Sequence, residues 1–348
     1  MSAWENNVRK VVPYVPGEQP KEKGIIKLNT NENPYGPSPR VISKSMELNN
    51  LKLYPDPAAS LLVETIAEYH GLNKNQVFVG VGSDDVLAMA FLTFFNSQKE
   101  ILFPDITYSF YDVWAELFNI PYKTVAVDEE FNLIKEDYYV ENGGIIFPNP
   151  NAPTGIARPL SFVEDIVKKN SDVIVIVDEA YVDFGGETAL PLIDKYDNLL
   201  VVRTFSKSRS MAGLRIGYAM GNERLIKYLN DVKYSYNSYT MNMPSILLGV
   251  ESILDEEYFK STVNKVIETR QWFKEEIEKL GFSCPESSAN FLFMTHDKLK
   301  AKDIFEGAKA NKIVVRYFNK PRISNHLRVT IGTREEMEIF LEYLKTIV

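Results

Sequence analysis

The feature that most constrains this 348-residue chain is a series of short, unbroken apolar runs, each stopped by a strand-ending residue. Val173-Ile-Val-Ile-Val177 runs straight into Asp178, and Leu199-Leu-Val-Val202 into Arg203-Thr204. Ile145-Ile-Phe147 stops at Pro148, and Ile101-Leu-Phe103 at Pro104-Asp105. Val77-Phe-Val-Gly-Val81 ends at Gly82-Ser83-Asp84-Asp85, after which Val86 to Phe95 has a helical, apolar pattern. A strand with one solvated face alternates apolar and polar residues. Continuous β-branched runs mark strands covered on both faces. With helical stretches between them, they predict an α/β domain built on a mostly parallel sheet flanked by helices.

The texture changes after Pro244. Residues 245–281 read as helical, with Val266, Phe273, Ile277 and Leu280 near one face and Gly281 as a stop. Strand-like pieces follow at Phe291-Leu-Phe-Met294, Ile313-Val-Val315 and Leu327-Arg-Val-Thr-Ile331, separated by helices. The expected organisation is a large domain over 30–244 and a smaller α+β domain from 1–29 and 245–348, with the proline-rich N-terminus as an arm.

Composition narrows the function. Lys plus Arg total 39 against 47 for Asp plus Glu, a net charge of −8, which argues against nucleic acid or an anionic membrane as partner. The single cysteine, Cys284, excludes an intrachain disulfide and a thiolate cluster, and three scattered histidines make a metal site unexpected. The polar N-terminus lacks the apolar core of a signal peptide, and Leu87 to Phe95 is too short to span a bilayer. A cytoplasmic location is expected.

In open α/β sheets, ligands bind beyond the carboxyl ends of the strands. Asp178 stands there, a carboxylate that needs a cationic or donor partner if buried. Lys207, in Thr204-Phe-Ser-Lys-Ser208, follows about one strand–helix unit later. A lysine doing covalent chemistry needs a carbonyl partner, and an acid beside it suits a basic ring nitrogen; pyridoxal phosphate combines both needs. Its phosphate has candidate donors in the Gly82-Ser83-Asp84-Asp85 turn at a helix start, in Ser206 and in Arg215. Singly, each has a plainer reading: a helix cap, a turn aspartate, a solvated lysine. Jointly and in order, the plain readings require several coincidences.

Asp178-Glu-Ala-Tyr181, Ser206-Lys-Ser-Arg-Ser-Met-Ala-Gly-Leu-Arg215-Ile-Gly-Tyr and Asn149-Pro-Asn-Ala-Pro-Thr-Gly155 resemble the fold-type I pyridoxal-phosphate aminotransferases. Pro13-Tyr14-Val-Pro-Gly17, Leu28-Asn-Thr-Asn-Glu-Asn-Pro-Tyr-Gly36, Tyr54-Pro-Asp-Pro57 and Leu327-Arg-Val-Thr-Ile-Gly-Thr-Arg-Glu-Glu336 resemble the histidinol-phosphate branch of that family. The resemblance implies that Lys207 forms a Schiff base with the cofactor and shuttles the substrate proton. It implies that Asp178 keeps the pyridine nitrogen protonated, that Tyr181 hydrogen-bonds the phenolate oxygen, and that Tyr108 stacks on the ring. Ser83, Asp84, Ser206 and Arg215 would hold the phosphate, with Tyr54 reaching in from the other subunit of a homodimer. Many relatives carry asparagine before Pro-Thr-Gly; Ala152 stands there here, so Asn151 becomes the candidate phenolate ligand. Arg328 resembles the arginine that grips a carboxylate, Arg316 one that binds a substrate phosphate, and Tyr14 a tyrosine that contacts that phosphate across the dimer. Arg322 and Arg334 read as surface charges and His326 as a loop residue.

The function so implied is transamination between histidinol phosphate and 2-oxoglutarate in histidine biosynthesis, with small molecules as amino donor and 2-oxo acid. Alternatives are an aromatic amino-acid aminotransferase and a pyridoxal-phosphate decarboxylase of a phosphorylated amino acid. A regulatory cofactor-binding module is disfavoured, because the chain has no added basic DNA-binding segment.

Overall fold

The computed structural model describes residues 6–46, 48 and 51–348. Strands β1 (Ile26–Leu28), β2 (Val77–Gly80), β3 (Ile101–Pro104), β4 (Tyr122–Val125), β5 (Ile145–Pro148), β6 (Val175–Asp178), β7 (Leu199–Thr204), β8 (Gly217–Gly221), β9 (Phe282–Ser283), β10 (Phe291–His296), β11 (Ile313–Tyr317) and β12 (Leu327–Thr330) form two sheets. The helices are α1 (Pro39–Ser45), α2 (Ser60–His70), α3 (Ser83–Phe94), α4 (Tyr111–Phe118), α5 (Leu160–Lys169), α6 (Glu223–Tyr236), α7 (Met243–Leu254), α8 (Glu256–Lys279), α9 (Ala301–Ala310) and α10 (Arg334–Lys345).

Seven strands run in the order β2-β8-β7-β6-β5-β3-β4. The pairs from β7 through β4 are parallel, whereas β8 is antiparallel to both β7 and β2. Every residue of β5, β6 and β7 is buried, as the continuous apolar runs predict. One core lies on each face: Phe147, Val177 and Val201 pack on one side, Ile146, Ile176 and Val202 on the other. This is the expected α/β fold with a mostly parallel central sheet.

The register fixes where chemistry can occur. Pro148, Asp178 and Val202 lie abreast at the carboxyl ends of β5, β6 and β7. Gly80, Gly217 and Thr204 form a second row across β2, β8 and β7. The loops leaving these rows therefore meet at one edge of the sheet.

The five-stranded sheet has the order β1-β11-β12-β10-β9. Its parallel outer strand β1 comes from the N-terminal segment, pairing Ile26 to Leu28 with Ile313 to Val315. The stretch expected to be helical over 245–281 is two helices, broken at Asp255, whose side chain caps α8 by accepting from Tyr258 N at 3.4 Å. Ile246, Leu248 and Ile253 of α7 join the core of the large sheet, whereas Val263, Val266 and Phe273 of α8 join that of the small one. From this packing we infer that the domain boundary lies near Asp255 rather than at 244. Among the described residues no helix is long and apolar enough to cross a membrane, and no group of metal-ligating side chains occurs.

Candidate active site

Two joined cavities open at the carboxyl edge of the large sheet. The inner one, about 360 Å³, is lined by Ser83, Asp178, Thr204, Ser206 and Lys207, among others. The outer one, about 700 Å³, reaches to Tyr14, Arg316 and Arg328. Asp84, Tyr108, Tyr181, Lys207 and Arg215 line both.

At one end of the inner cavity, Gly82 (φ 86°) starts α3, and Ser83 and Asp84 occupy its first turn. Arg215, itself left-handed at φ 52°, reaches back from β8's approach to Asp84 Oδ2 at 3.1 Å and donates to Ser206 Oγ at 3.4 Å. A Cβ on Gly82 would come within 2.5 Å of Arg215 Nη2, and one on Gly217 within 2.3 Å of Ser83 N. Only glycine permits this close approach. A helix start, a hydroxyl and a guanidinium converge, the donor set that suits a phosphate.

At the other end Asp178 closes β6. Tyr111 donates to its Oδ2 at 2.9 Å and Ala180 N to its Oδ1 at 3.2 Å. Burial pushes the carboxyl up to about 6, against those two hydrogen bonds, which pull it down. Burial, with Asp178 next, pushes the Tyr111 phenol well above its ordinary range, so Tyr111 stays a donor. Asp178 is thus a buried carboxylate short of one cation, which a protonated ring nitrogen would supply.

Lys207 Nζ donates to Thr30 O at 3.2 Å and lies 5.7 Å from the Tyr181 ring centre. Its loop is anchored beneath by a buried network. Arg203 pairs with Glu179 at 2.9 Å, Glu179 accepts from Ala189 N at 2.6 Å, and Ser208 Oγ donates to Asp183 at 2.5 Å. Tyr108 donates to Asp84 Oδ1 at 2.7 Å, which holds its ring across the cavity.

In the outer cavity Arg316 and Arg328 sit directly opposite each other on β11 and β12. Arg328 donates one Nη to Asn29 O at 3.0 Å and stands between Phe291 and Phe318. Its Nε is buried with no hydrogen-bond partner among the described residues. That leaves a two-point donor edge of the kind a carboxylate takes.

Several expectations need correction. Asn151 lines neither cavity. Its amide donates to Ile106 O at 2.9 Å and Thr154 Oγ1 at 3.3 Å, and accepts from Thr107 at 3.3 Å, so it is consumed in holding its own loop. Tyr14 lines the outer cavity of its own chain, stacked on Phe110 with ring centres 4.1 Å apart. The arm is folded back by Asn29, which donates to Glu18 O at 2.8 Å. Arg322 is exposed, as expected of a surface charge, and it pairs with Asp105 at 3.0 Å and donates to Val127 O at 2.8 Å, clasping the β11–β12 connection to the end of β3. Tyr54 is 82% exposed beside Tyr239 and lies outside both cavities of its own chain. His326 stacks on Phe293 away from the site.

Sequence reasoning missed Tyr111, which lies in the aromatic run after β3, and the hydrogen-bonding roles of Asn29 to Asn31. Asn31 donates to Tyr181 Oη at 2.9 Å. Its sequence signal was its place in the amide-rich Leu28 to Gly36 segment, which gave a resemblance but no role for Asn31.

A mostly parallel sheet whose strand ends bring together a helix start, a buried carboxylate and a lysine suits an enzyme that handles carbonyl and amine groups. The chain belongs to the aminotransferase class I and II family, whose model matches residues 23–344. It is 52% identical over 347 residues to the histidinol-phosphate aminotransferase of Clostridium botulinum (strain Okra / Type B1), covering 99% of this chain and 98% of that protein. It is 50% identical over 345 residues to the same-named protein of Lactococcus lactis subsp. lactis (strain IL1403), covering 99% and 96%. In fold it resembles the histidinol-phosphate aminotransferase of Sinorhizobium meliloti solved in complex with pyridoxal-5'-phosphate, with a TM-score of 0.84, 20% identity and coverage of 93% and 92%.

Proposed function

We propose that the chain is a pyridoxal-phosphate-dependent aminotransferase that exchanges an amino group between histidinol phosphate and 2-oxoglutarate. The observation that carries this reading is the facing pair Arg316 and Arg328 in a cavity shared with Lys207. Two guanidiniums with no carboxylate partner among the described residues suit a site that takes dianionic substrates. The names of the half-identical relatives support the same substrate.

The residues fit the cofactor. The glycine-walled turn at Gly82 with Ser206 and Arg215 would hold its phosphate, Asp178 would face its ring nitrogen, and Tyr181 its phenolate oxygen. Pyridoxal phosphate, when bound, supplies the aldehyde that accepts the amino group and a ring that delocalises charge from the substrate's α-carbon. The protein's own part is proton control and orientation. Asp178 holds a proton at the ring nitrogen. Lys207, released from Thr30 O, moves a proton at the α-carbon. Tyr108 and Phe110 wall the cavity and exclude water. Arg328 orients an α-carboxylate through Nε and Nη, and Arg316 a phosphate.

A homodimer completes this reading, because the exposed Tyr54 has no role within its own chain's cavities. The test is spectroscopic. The pyridoxal-phosphate-loaded protein should bleach in the visible on adding histidinol phosphate and recover on adding 2-oxoglutarate, with glutamate formed. A spectrum unmoved by histidinol phosphate sinks the proposal, and carbon dioxide release would replace it with decarboxylation.

A further inference from the structure

Three consecutive residues each touch a different side chain of the site. Asn29 O accepts from Arg328 at 3.0 Å, Thr30 O from Lys207 at 3.2 Å, and Asn31 Nδ2 donates to Tyr181 Oη at 2.9 Å. The third contact is the most constrained. Thr330 Oγ1 accepts from Asn31 N at 3.0 Å and donates to Asn31 Oδ1 at 3.0 Å. With Thr330 donating to the amide oxygen, the amide NH₂ faces Tyr181. Asn290 donates to Asn31 O at 3.0 Å, and the backbone sits at φ 56°, a left-handed conformation that asparagine tolerates better than most residues. Asn31 is 1% exposed, so water does not compete for these groups.

We infer that Asn31 is a positioning residue that fixes the direction of the Tyr181 O–H. Because the Tyr181 oxygen receives the Asn31 amide proton, its own proton is left to be given into the cavity. The inference rests on the cofactor reading above, in which the group facing Tyr181 is an anionic phenolate oxygen. A neutral tyrosine turned the other way would present a lone pair to that oxygen and repel it. Asn31, through Thr330 on β12, also ties Tyr181 to the strand that carries Arg328.

Asn31→Asp tests the direction. Aspartate keeps the left-handed backbone and the size of the side chain but offers only acceptors, so the Tyr181 proton should turn toward it. The readout is the pH midpoint of the visible band of the pyridoxal-phosphate-loaded protein. A proton donated by Tyr181 to the phenolate oxygen competes with the proton that oxygen shares with the Lys207 nitrogen, and so lowers the midpoint. Losing one hydrogen bond to a charged group should raise it by about one to two pH units. Lys207, Arg328 and Tyr108 share the cavity and are unchanged in the variant. In a Tyr181→Phe background, Asn31→Asp should add no comparable shift. If Asn31→Asp does not fold, Thr330→Val reads the same effect with the amide in place, and Thr330→Ser should restore the parental midpoint. An unchanged midpoint in Asn31→Asp or Thr330→Val, or an equal shift without the Tyr181 hydroxyl, overturns the inference alone. A parent protein with no Lys207-dependent band overturns the cofactor reading and this inference together.

Discussion

Arg316 and Arg328 face each other across neighbouring antiparallel strands, β11 to β12, with their side chains on the same cavity. Like charges directly opposite destabilise a strand pair. Burial pushes the Arg328 guanidinium down, with Arg316 adding to the effect. A fold keeps such a pair where an anion repays it.

The pair should divide the work. A phosphate needs at least one guanidinium, and hydrogen bonds to charged groups contribute roughly 1.5–3 kcal/mol. Arg316→Ala should lower kcat/KM for histidinol phosphate roughly 10- to 100-fold and change the glutamate half-reaction much less. Arg328→Ala should hurt glutamate more, because histidinol phosphate has no α-carboxylate. Single-turnover measurement of both half-reactions in both variants is decisive, and equal losses throughout would mean the arginines are not partitioned.

Lys207→Ala should abolish the visible band and its reduction onto the protein by borohydride. It should leave measurable pyridoxal-phosphate affinity, because the contacts at Gly82, Ser206 and Arg215 do not involve the lysine. A band still reducible at the protein would assign the chemistry to another amine.

Asp178 gives a pH prediction with a definite sign. Its carboxyl is pushed up to about 6 in the fold, against an ordinary 3.8. Between those values the folded chain holds a proton that the unfolded chain has released. The stabilisation is therefore full below pH 3.8 and is lost as pH rises through about 6. The loss is roughly 3 kcal/mol. Without cofactor, the parent's melting temperature should fall relative to that of Asp178→Asn across this window, leaving the variant the more stable at neutral pH. Adding pyridoxal phosphate should favour the parent again, while the variant loses most transamination. Parallel melting profiles would mean that the charge is compensated within the protein.

Strands β2, β3, β5, β6 and β7 of the large sheet were legible because burial on both faces writes itself as consecutive β-branched residues, as at Val175 to Val177. β4 was not, because Tyr122-Lys-Thr-Val125 is an edge strand with exposed residues, and β8 was not, because Gly217-Tyr-Ala-Met-Gly221 carries small residues where the sheet passes against Gly82 and Ser83. Asp178 and Lys207 stood out by their place after strands, and Arg215 by its place in the segment that follows the lysine. Asn31 and Tyr111 did not, because their roles come from hydrogen-bond partners 299 and 67 residues away. Asn151 misled for the same reason: an amide near the expected position says nothing about which neighbours already use it.

Beneath the lysine loop, Glu179 and Arg203 form a buried pair, with side-chain exposures of 0% and 10%. Burial pushes the Glu179 carboxyl up and Arg203 draws it back. Arg203→Met should strand that carboxylate and destabilise the protein by about 3–5 kcal/mol. In a Glu179→Gln background the same change should cost much less, because an amide keeps the acceptor for Ala189 N without an unpaired charge. Urea unfolding of the four proteins gives the coupling; additive losses would remove the pair from any role in holding β6 against β7.

The final prediction concerns Tyr54. It stands 82% exposed beside Tyr239 and lines neither cavity of its own chain. A pair of exposed aromatic rings suits a contact with a partner surface. If a second copy of the chain covers it, each site draws Tyr54 from one subunit and Lys207 from the other. Tyr54→Ala and Lys207→Ala proteins should then each be impaired alone. Mixed and refolded together, they should recover activity above the sum of the two, because one site of the hybrid dimer regains both residues. Sedimentation of the parent should give a dimer. Absence of complementation, with hybrid dimers demonstrably formed, would confine each site to a single chain and leave Tyr54 without a catalytic partner.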